Sequence, residues 1–258
     1  MRWWRSERGQ KFLREVGSVV LGVVIALGLG AVATEIGWRI EVFRAHRALA
    51  EEMGEIMGQA RERERAESCY LRRLDTLSVI VDRAAASGRL PPVGSPGSPL
   101  MRTWSRGVWN SVLGDTASHF SRADLDNLSG AYEFVDLLAR HSERELELWS
   151  ELYTIVGPGR AIDTEEAADL RRAISAARLE SNLVTLAAVR LQQIVRAFDL
   201  GYSRDAARPY AEQPLSQVPF CRPFGPVPPR YGRAPLDGAG DRARATPITR
   251  DDAGLPAR

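Results

Sequence analysis

The sequence has few of the residue types that usually carry chemistry. Its 258 residues include two cysteines and three histidines, and Lys11 is the single lysine. Signature motifs of nucleotide-binding loops, dinucleotide folds, serine hydrolases, zinc peptidases and thiol oxidoreductases are missing. We therefore expect no catalytic residue, no cofactor and no metal site, and we interpret the chain as a protein that is not an enzyme.

The remaining acids and histidines do not combine into a convincing site. Asp115 and His119 are one helical turn apart, but no third ligand accompanies them. Glu143, Glu145 and Glu147 resemble the solvated face of a helix rather than an acid–base pair. A deep pocket lined by acids and His119 would be needed to support an enzyme.

The charges give no indication of a nucleic-acid partner. The formal net charge is +2, and acidic residues interleave with the arginines, as in RERERAE at 61–67. A phosphate-binding surface would instead cluster its basic residues. On a helix this spacing places Glu62 near Arg65 and Arg63 near Glu67, which predicts a solvated face with local ion pairs.

One long hydrophobic run is present near the N-terminus. Residues 16–34 contain no charge, and nineteen helical residues span about 28 Å, close to the roughly 30 Å hydrocarbon core of a bilayer. Trp38 follows at the level expected for the lipid headgroups. The sequence therefore predicts a transmembrane helix over residues 16–36, preceded by a basic segment at 1–15.

The basic residues around this run predict its orientation. Five precede it (Arg2, Arg5, Arg8, Lys11 and Arg14), and three follow within twenty residues (Arg39, Arg44 and Arg47). This bias favours a cytoplasmic N-terminus, so we expect a protein of the bacterial inner membrane with the bulk of its chain in the periplasm. A cleaved signal peptide, with a cleavage site at Ala31–Ala33, is the alternative interpretation.

Small residues recur every four positions within the run. They are Ser18, Gly22, Ala26, Gly30 and Thr34. Ridges of this kind allow two membrane helices to approach closely, so they predict a packing surface and a homodimer. The alternative is that Gly and Ala are simply common in membrane helices.

The helical pattern continues beyond the membrane run. An intermittent apolar stripe extends from Trp38 to about Ala86, and Gly54 and Gly58 within it suggest a hinge. The stretch 87–99 is rich in proline and glycine and breaks the helix. A short helix is expected around 103–113.

Two long helices with continuous packing seams follow. The first begins after Ser121 and ends before Gly157, and the second begins at Asp163 or Thr164 and ends at Gly201. The first seam comprises Leu125, Leu128, Tyr132, Val135, Ala139, Ser142, Leu146, Trp149, Tyr153 and Val156. The second comprises Ala167, Leu170, Ile174, Ala177, Ser181, Val184, Ala188, Leu191, Val195 and Phe198. Alternating steps of three and four predict an antiparallel helical hairpin.

The fold class predicted is all-α, with the transmembrane helix continuing into a small antiparallel bundle over 37–201. Residues 202–258 form a proline-rich tail, which holds ten of the fifteen prolines. Its end, from Arg233, has the composition of a disordered segment, whereas the stretch from Tyr210 to Tyr231 keeps apolar residues that suit packing on the bundle.

The two cysteines lie on different parts of the chain. Cys69 falls on the long helix and Cys221 in the tail. In an oxidising compartment a disulfide between them is the natural interpretation, and it would hold the tail against the bundle. Two unpaired thiols are the alternative.

The opening of the chain resembles a group of uncharacterised bacterial proteins. The matching stretches are Phe12–Leu27, an FLREV…GVVIAL anchor, and Cys69–Leu74, which reads CYLRRL. The resemblance covers about the first 85 residues. It implies a single-pass membrane protein and transfers no catalytic residue.

Two functions of different classes follow from these observations. The first is an interaction or scaffolding module of the bacterial envelope that binds an unidentified protein partner. The second is an extracytoplasmic ligand-sensing domain that acts through a partner, an analogy with helical receptor domains.

Overall fold

A computed structural model of the protein describes residues 7–227. The predictions that concern Arg2 and Arg5, and the prediction of disorder from Arg233 onward, concern residues outside this range. Within them the fold is all-α, as predicted.

Five helices account for most of the described chain. Their bounds are α1 Glu7–Ser87, α2 Gly107–Asp115, α3 Arg122–Leu152, α4 Thr164–Ala197 and α5 Arg204–Ala211. Short 3₁₀ helices cover Ala117–His119, Tyr153–Ile155, Leu215–Gln217 and Pro219–Cys221.

Helix α1 is an unbroken helix of 81 residues. A window near its N-terminus has a mean hydropathy of 2.5, and none of that window is buried within the protein. At 1.5 Å per residue the whole helix is about 120 Å long. Its first part is long and apolar enough to cross a membrane, and its second part is the central helix of the bundle.

Two hydrophobic clusters form the core, and they give the direction of each helix. We call the cluster nearer the apolar N-terminal segment of α1 the lower cluster and the other the upper cluster. The lower cluster joins Leu49–Ala60 of α1 to Leu128–Leu138 of α3 and Val184–Val195 of α4. The upper cluster joins the C-terminal part of α1 to Leu148–Leu152 and Ala167–Ala177. Helices α1 and α3 therefore run in the same direction, and α4 returns antiparallel to both, which confirms the predicted hairpin.

The helix starts follow the predicted capping residues. The hydroxyl of Ser121 accepts a hydrogen bond from the Asp124 N–H at the start of α3. The carboxylate of Asp163 accepts one from the Glu166 N–H at the start of α4. Each cap satisfies a backbone donor that has no partner within its own helix.

A short antiparallel strand pair closes the upper end of the bundle. Strand β1 (Arg89–Leu90) pairs with β2 (Arg160–Ala161) in the register Arg89 with Ala161. Gly159, at φ +85°, precedes β2, and a Cβ there would lie 3.0 Å from the Leu90 carbonyl oxygen. The segment after α1 is thereby joined to the α3–α4 connection, an arrangement that sequence periodicity did not predict.

The seam of α3 departs from prediction in its second half. Leu128, Tyr132, Val135 and Trp149 are buried as expected, but at most other positions beyond Val135 the buried residue lies one position before the predicted one. Leu138, Glu145 and Leu148 face the core, whereas Leu146 and Tyr153 are each 37% exposed. The predicted seam of α4 is buried from Ala167 to Val195, and Phe198 lies outside it.

The hinge predicted at Gly54 and Gly58 is wrong, because α1 continues through both. These glycines instead allow α5 to lie directly on α1. A Cβ at Gly54 would be 2.3 Å from the Ser203 carbonyl oxygen, and one at Gly58 would be 2.4 Å from that of Ala207. The Ser203 N–H also donates to the Ala50 carbonyl at 2.7 Å.

The tail packs on the bundle as far as it is described. Phe220 is 3% exposed and contacts the rings of Tyr70 and Trp149. Cys69 and Cys221 form the predicted disulfide, with their Cα atoms 4.9 Å apart. Packing of the predicted segment is thus confirmed as far as Phe224, whereas Val227 is 41% exposed.

Candidate functional site

Four charged side chains of α1 are buried in the bundle. They are Glu52, Glu62, Arg63 and Arg73, and each is at most 7% exposed. Each contacts at least one later segment of the chain, and burial of a charge is costly unless hydrogen bonds compensate it. We call these four residues the α1 charge set.

Arg63 lies between the two hydrophobic clusters. Its Nη2 donates to Glu145 Oε1 of α3 at 2.8 Å and to Ser181 Oγ of α4 at 2.7 Å. The ring of Tyr70 lies 3.7 Å from the guanidinium carbon. Nε and Nη1 of Arg63 have no hydrogen-bond partner among the described residues, so the ring provides compensation by a cation–π contact.

Burial shifts the acidity of the groups around Arg63. It raises the pKa of the Glu145 carboxyl above its ordinary value, against the opposing effect of Arg63. It also raises the pKa of Tyr70 to about 12, again opposed by Arg63. Both shifts have the sign expected when the charged form loses its hydration.

These contacts correct two predictions. Glu145 is not part of a solvated acidic face, because it is 3% exposed and bonded to Arg63. Glu62 and Arg63 likewise do not form local pairs on an exposed surface. Both are buried, and their partners come from segments 40 and 82 residues away. The i,i+3 and i,i+4 rule failed here because segments distant in sequence supply better-placed partners: the 99–104 segment for Glu62, and helices α3 and α4 for Arg63.

Glu52 holds the start of α2. Its carboxylate accepts from the N–H groups of Val108 and Trp109 at 3.0 and 3.2 Å, and from the Tyr132 hydroxyl at 2.7 Å. The residue that precedes α2, Arg106, makes no side-chain cap. A carboxylate from α1 therefore satisfies the free donors of another helix and opposes its positive dipole end.

Glu62 and Arg73 hold the irregular segments. Arg102 makes a bidentate contact with Glu62, with distances of 2.7 and 2.6 Å, and reaches Gln213 at 3.2 Å. Arg73 donates to the carbonyl groups of Phe220 and Arg222. Its guanidinium carbon lies 4.1 Å from the centroid of the Phe224 ring, and burial lowers its pKa.

The contacts of the α1 charge set are directed inward, toward other parts of the same chain. Together they position α2, the 99–104 segment, the α3–α4 hairpin and the tail on one helix. Sequence reasoning missed this role because it interpreted the charges of 61–67 by helical spacing alone. The available signal was that Arg63 lies three residues from both Ala60 and Ala66 of the core, a spacing that places it on the same face of α1.

The three histidines lie in different parts of the fold and make separate contacts. His141 Nδ1 lies 2.8 Å from Glu180 Oε2 between α3 and α4, as a satisfied polar residue. His119 stacks on Trp38 and His46 on Phe120, with centroid distances of 4.0 and 4.5 Å. Within residues 7–227, no three His, Cys, Asp or Glu side chains converge in a way that could hold a metal ion.

A cleft of about 330 Å³ separates the 99–104 segment from α3. Trp104, Leu146 and Met101 line it, and Glu143 lies at its edge. Trp104 Nε1 donates to Ser142 Oγ across its floor at 3.0 Å. The cleft is open and largely apolar, and none of the α1 charge set lines it.

The predicted small-residue ridge lies on the unburied part of α1. Its members, Ser18 to Thr34, are all exposed, and no atom lies within 4 Å of a Cβ built at Gly22 or Gly30. The hydroxyl of Ser18 donates to the Glu15 carbonyl and that of Thr34 to the Gly30 carbonyl. The role of this ridge in helix packing stays a prediction.

No protein-family model, curated protein sequence or solved structure matches this chain.

Proposed function

We propose that this chain is a single-pass membrane protein of the bacterial envelope whose helical bundle is an interaction or scaffolding module and not an enzyme. The observation that carries the proposal is helix α1. The same unbroken helix contains the unburied apolar segment and, from Leu49 onward, the centre of the bundle core. A bundle built on this helix is held at a constant height and orientation relative to a bilayer.

The exposure of the apolar segment supports insertion in a membrane. Large side chains such as Leu21, Leu27 and Leu29 are 60 to 70% exposed. Soluble proteins rarely expose a continuous apolar surface of this size to water. Trp38 lies about 6 Å beyond Thr34 along the helix. Its contact with His119 brings the loop after α2 to the headgroup level, where aromatic side chains are favoured.

The disulfide supports a periplasmic bundle. Bonds of this type persist in oxidising compartments and are rare in the cytosol. The excess of basic residues before the apolar segment favours the same orientation. A retained anchor, rather than a cleaved signal, is favoured because the charge-free run at 16–34 is longer than the apolar region of a signal peptide, which has about 7–15 residues.

The α1 charge set supports a scaffolding role. It organises four later segments around one helix, and among residues 7–227 it leaves large side chains on the outer face of α4 uncovered, with Leu179 and Leu186 exposed at 58% and 52%. A bundle fixed internally in this way presents rigid surfaces to a partner.

Topology is the first experiment. A reporter active only outside the cytoplasm is fused after Arg258, and the protein is run on reducing and non-reducing gels. We expect an active reporter and a mobility shift that disappears in Cys69→Ser but persists in Ser68→Ala, since Ser68 is the exposed neighbour. An inactive reporter without a shift would place the bundle in the cytoplasm and reject the proposal.

The cleft beside Trp104 favours ligand sensing as a second candidate function. Its apolar lining and its volume of about 330 Å³ suit a small organic molecule. A thermal-shift screen of the full chain in detergent against small metabolites tests this function. A hit whose shift is lost in Leu146→Glu, but retained in Leu113→Glu, would favour sensing, and silence across the screen would count against it.

A further inference from the structure

A continuous apolar stripe runs along α1 from the membrane segment into the aqueous region. Its large members are Ile25, Leu29, Val32, Ile36, Ile40 and Phe43, which are 45 to 70% exposed. At 100° per residue these six positions stay within a sector of about 80°. Ser18 and Gly22 extend the same sector toward the N-terminus.

The stripe faces away from the bundle. Trp38, Val42 and Ala45, whose side chains contact the bundle, lie on the other side of α1, between about 120° and 180° from the centre of the stripe. No described residue covers the stripe, because Ile36, Ile40 and Phe43 are 53%, 45% and 70% exposed. An apolar face therefore remains open on the part of α1 that leaves the membrane.

Lipid does not account for the upper end of this face. Phe43 lies nine residues beyond Thr34, about 13 Å along the helix. The headgroup layer on each side of a bilayer is only about 5–8 Å thick. Phe43 is thus in water, where an exposed aromatic side chain continuous with an apolar stripe indicates a protein contact.

We infer that the stripe from Ser18 to Phe43 is the interface between two parallel copies of this chain. This inference rests on the proposed membrane anchoring. Two copies of one chain cross the bilayer in the same direction and to the same depth, so equivalent residues of the stripe meet at equal height. Their steps of three and four residues match the seam of a left-handed helix pair.

The area of the stripe agrees with a contact that depends on the membrane. A stable interface in water buries about 800 Å² on each partner, whereas one large side chain offers at most about 200 Å². Ile36, Ile40 and Phe43 alone are insufficient. The membrane half of the stripe supplies the remaining contact, and confinement in the bilayer raises the effective concentration.

The small-residue ridge contributes only its first members to this interface. Successive steps of four residues rotate by about 40° each, so the ridge winds by about 160° between Ser18 and Thr34. Ser18 and Gly22 lie on the stripe, but Gly30 and Thr34 have turned to the side of Trp38. Close approach of the two helices is therefore confined to the N-terminal end.

Single introduced cysteines test the inference in native membranes. Both natural cysteines are bonded to each other, so a new cysteine supplies the free thiol. Mild oxidation should convert Ile40→Cys and Phe43→Cys to disulfide-linked dimers of twice the chain mass. The control Glu41→Cys is adjacent and exposed, with its side chain 52% accessible, and lies about 140° from the centre of the stripe. We expect at least tenfold less dimer from it.

Two outcomes would overturn the inference: equal cross-linking at all three positions, or adducts whose mass indicates a different protein. A second measurement is the dimer fraction in nanodiscs, which should fall at least fivefold in Phe43→Glu and stay unchanged in Glu41→Lys. Carbonate extraction separates the premise from the inference. Monomers in the membrane pellet reject only the dimer, whereas protein in the soluble fraction rejects the proposed anchoring as well.

Discussion

Arg63 of α1 and Glu145 of α3 form an ion pair in the middle of the bundle, with 2.8 Å between Nη2 and Oε1 and both side chains at most 6% exposed. The pair separates the lower hydrophobic cluster from the upper one. Burying two charges does not by itself make a protein stable, but removing one partner leaves the other without compensation. The pair therefore specifies which residues of α1, α3 and α4 lie at the same level.

Replacing Glu145 with leucine should lower the free energy of unfolding by about 3–5 kcal/mol, because Arg63 would remain buried without its carboxylate. Chemical denaturation of the full chain in detergent, followed by circular dichroism, measures this change. The double variant Arg63→Leu with Glu145→Leu should recover most of the loss. Asp82→Asn is the control, since its pair with Arg171 is about half exposed and contributes about 1 kcal/mol or less. A single variant as stable as this control would contradict the prediction.

The stability of the bundle should fall in alkaline solution because of Tyr70. Its pKa is raised from 10.0 to about 12 in the folded protein. Between these two pH values the folded state therefore retains the phenolic proton that the unfolded state has lost. The contribution of this pKa difference to the free energy of unfolding is fully present below pH 10 and is lost as the pH rises toward 12. Two pKa units correspond to about 3 kcal/mol.

The comparison for this prediction is Tyr70→Phe, measured by denaturation at pH 9, 10, 11 and 12. The variant loses the hydrogen bond that the Leu100 N–H donates to the tyrosine hydroxyl at 2.8 Å, a loss of about 1 kcal/mol that does not depend on pH. The difference between the two proteins should shrink and change sign as the pH rises. A constant difference would show that Tyr70 does not titrate in this way.

Gly58→Ala should displace α5 from α1. The added Cβ would lie 2.4 Å from the backbone oxygen of Ala207, and backbone cannot yield as a side chain does. We expect a loss of about 1–3 kcal/mol and faster amide hydrogen exchange in Arg204–Ala211. The control is Gly130→Ala on α3, where a Cβ meets no atom within 4 Å. Because alanine favours helix, this control should be neutral or stabilising by up to about 1 kcal/mol, and equal behaviour of the two variants would refute the close contact.

Reduction of the disulfide should release the tail before the helices unfold. The bond joins residues 152 positions apart, and closing a loop of this length removes unfolded-chain entropy equivalent to about 5 kcal/mol before any strain. Limited proteolysis should cut the 212–227 region in the reduced protein and in Cys69→Ser, while the α3–α4 hairpin stays intact. Resistance of this region after complete reduction would mean that Phe220 and Arg73 hold the tail without the bond.

The helices and their direction could be predicted from the sequence because their signals are local. Ser121 and Asp163 mark helix starts through hydrogen bonds within four residues, and the apolar steps of α4 from Ala167 to Val195 match its buried face. The run at 16–34 contains no charged residue, so the apolar helix could be predicted without knowledge of any tertiary contact. The disulfide could be predicted because the chain contains two cysteines, which allow only one intramolecular pairing.

The polar interior was decided by tertiary structure. Whether Glu62, Arg63 and Glu145 face water or protein depends on partners supplied from distant segments, and helical spacing carries no information about those segments. The same applies to Gly54 and Gly58, which resemble helix weaknesses in sequence but serve as the surface on which α5 lies. The sequence by itself determined an all-α chain with one long apolar helix and two capped partners. Only the packing of these helices decided which charges are buried and which apolar stripe of α1 remains uncovered, because burial is a property of neighbours and not of spacing.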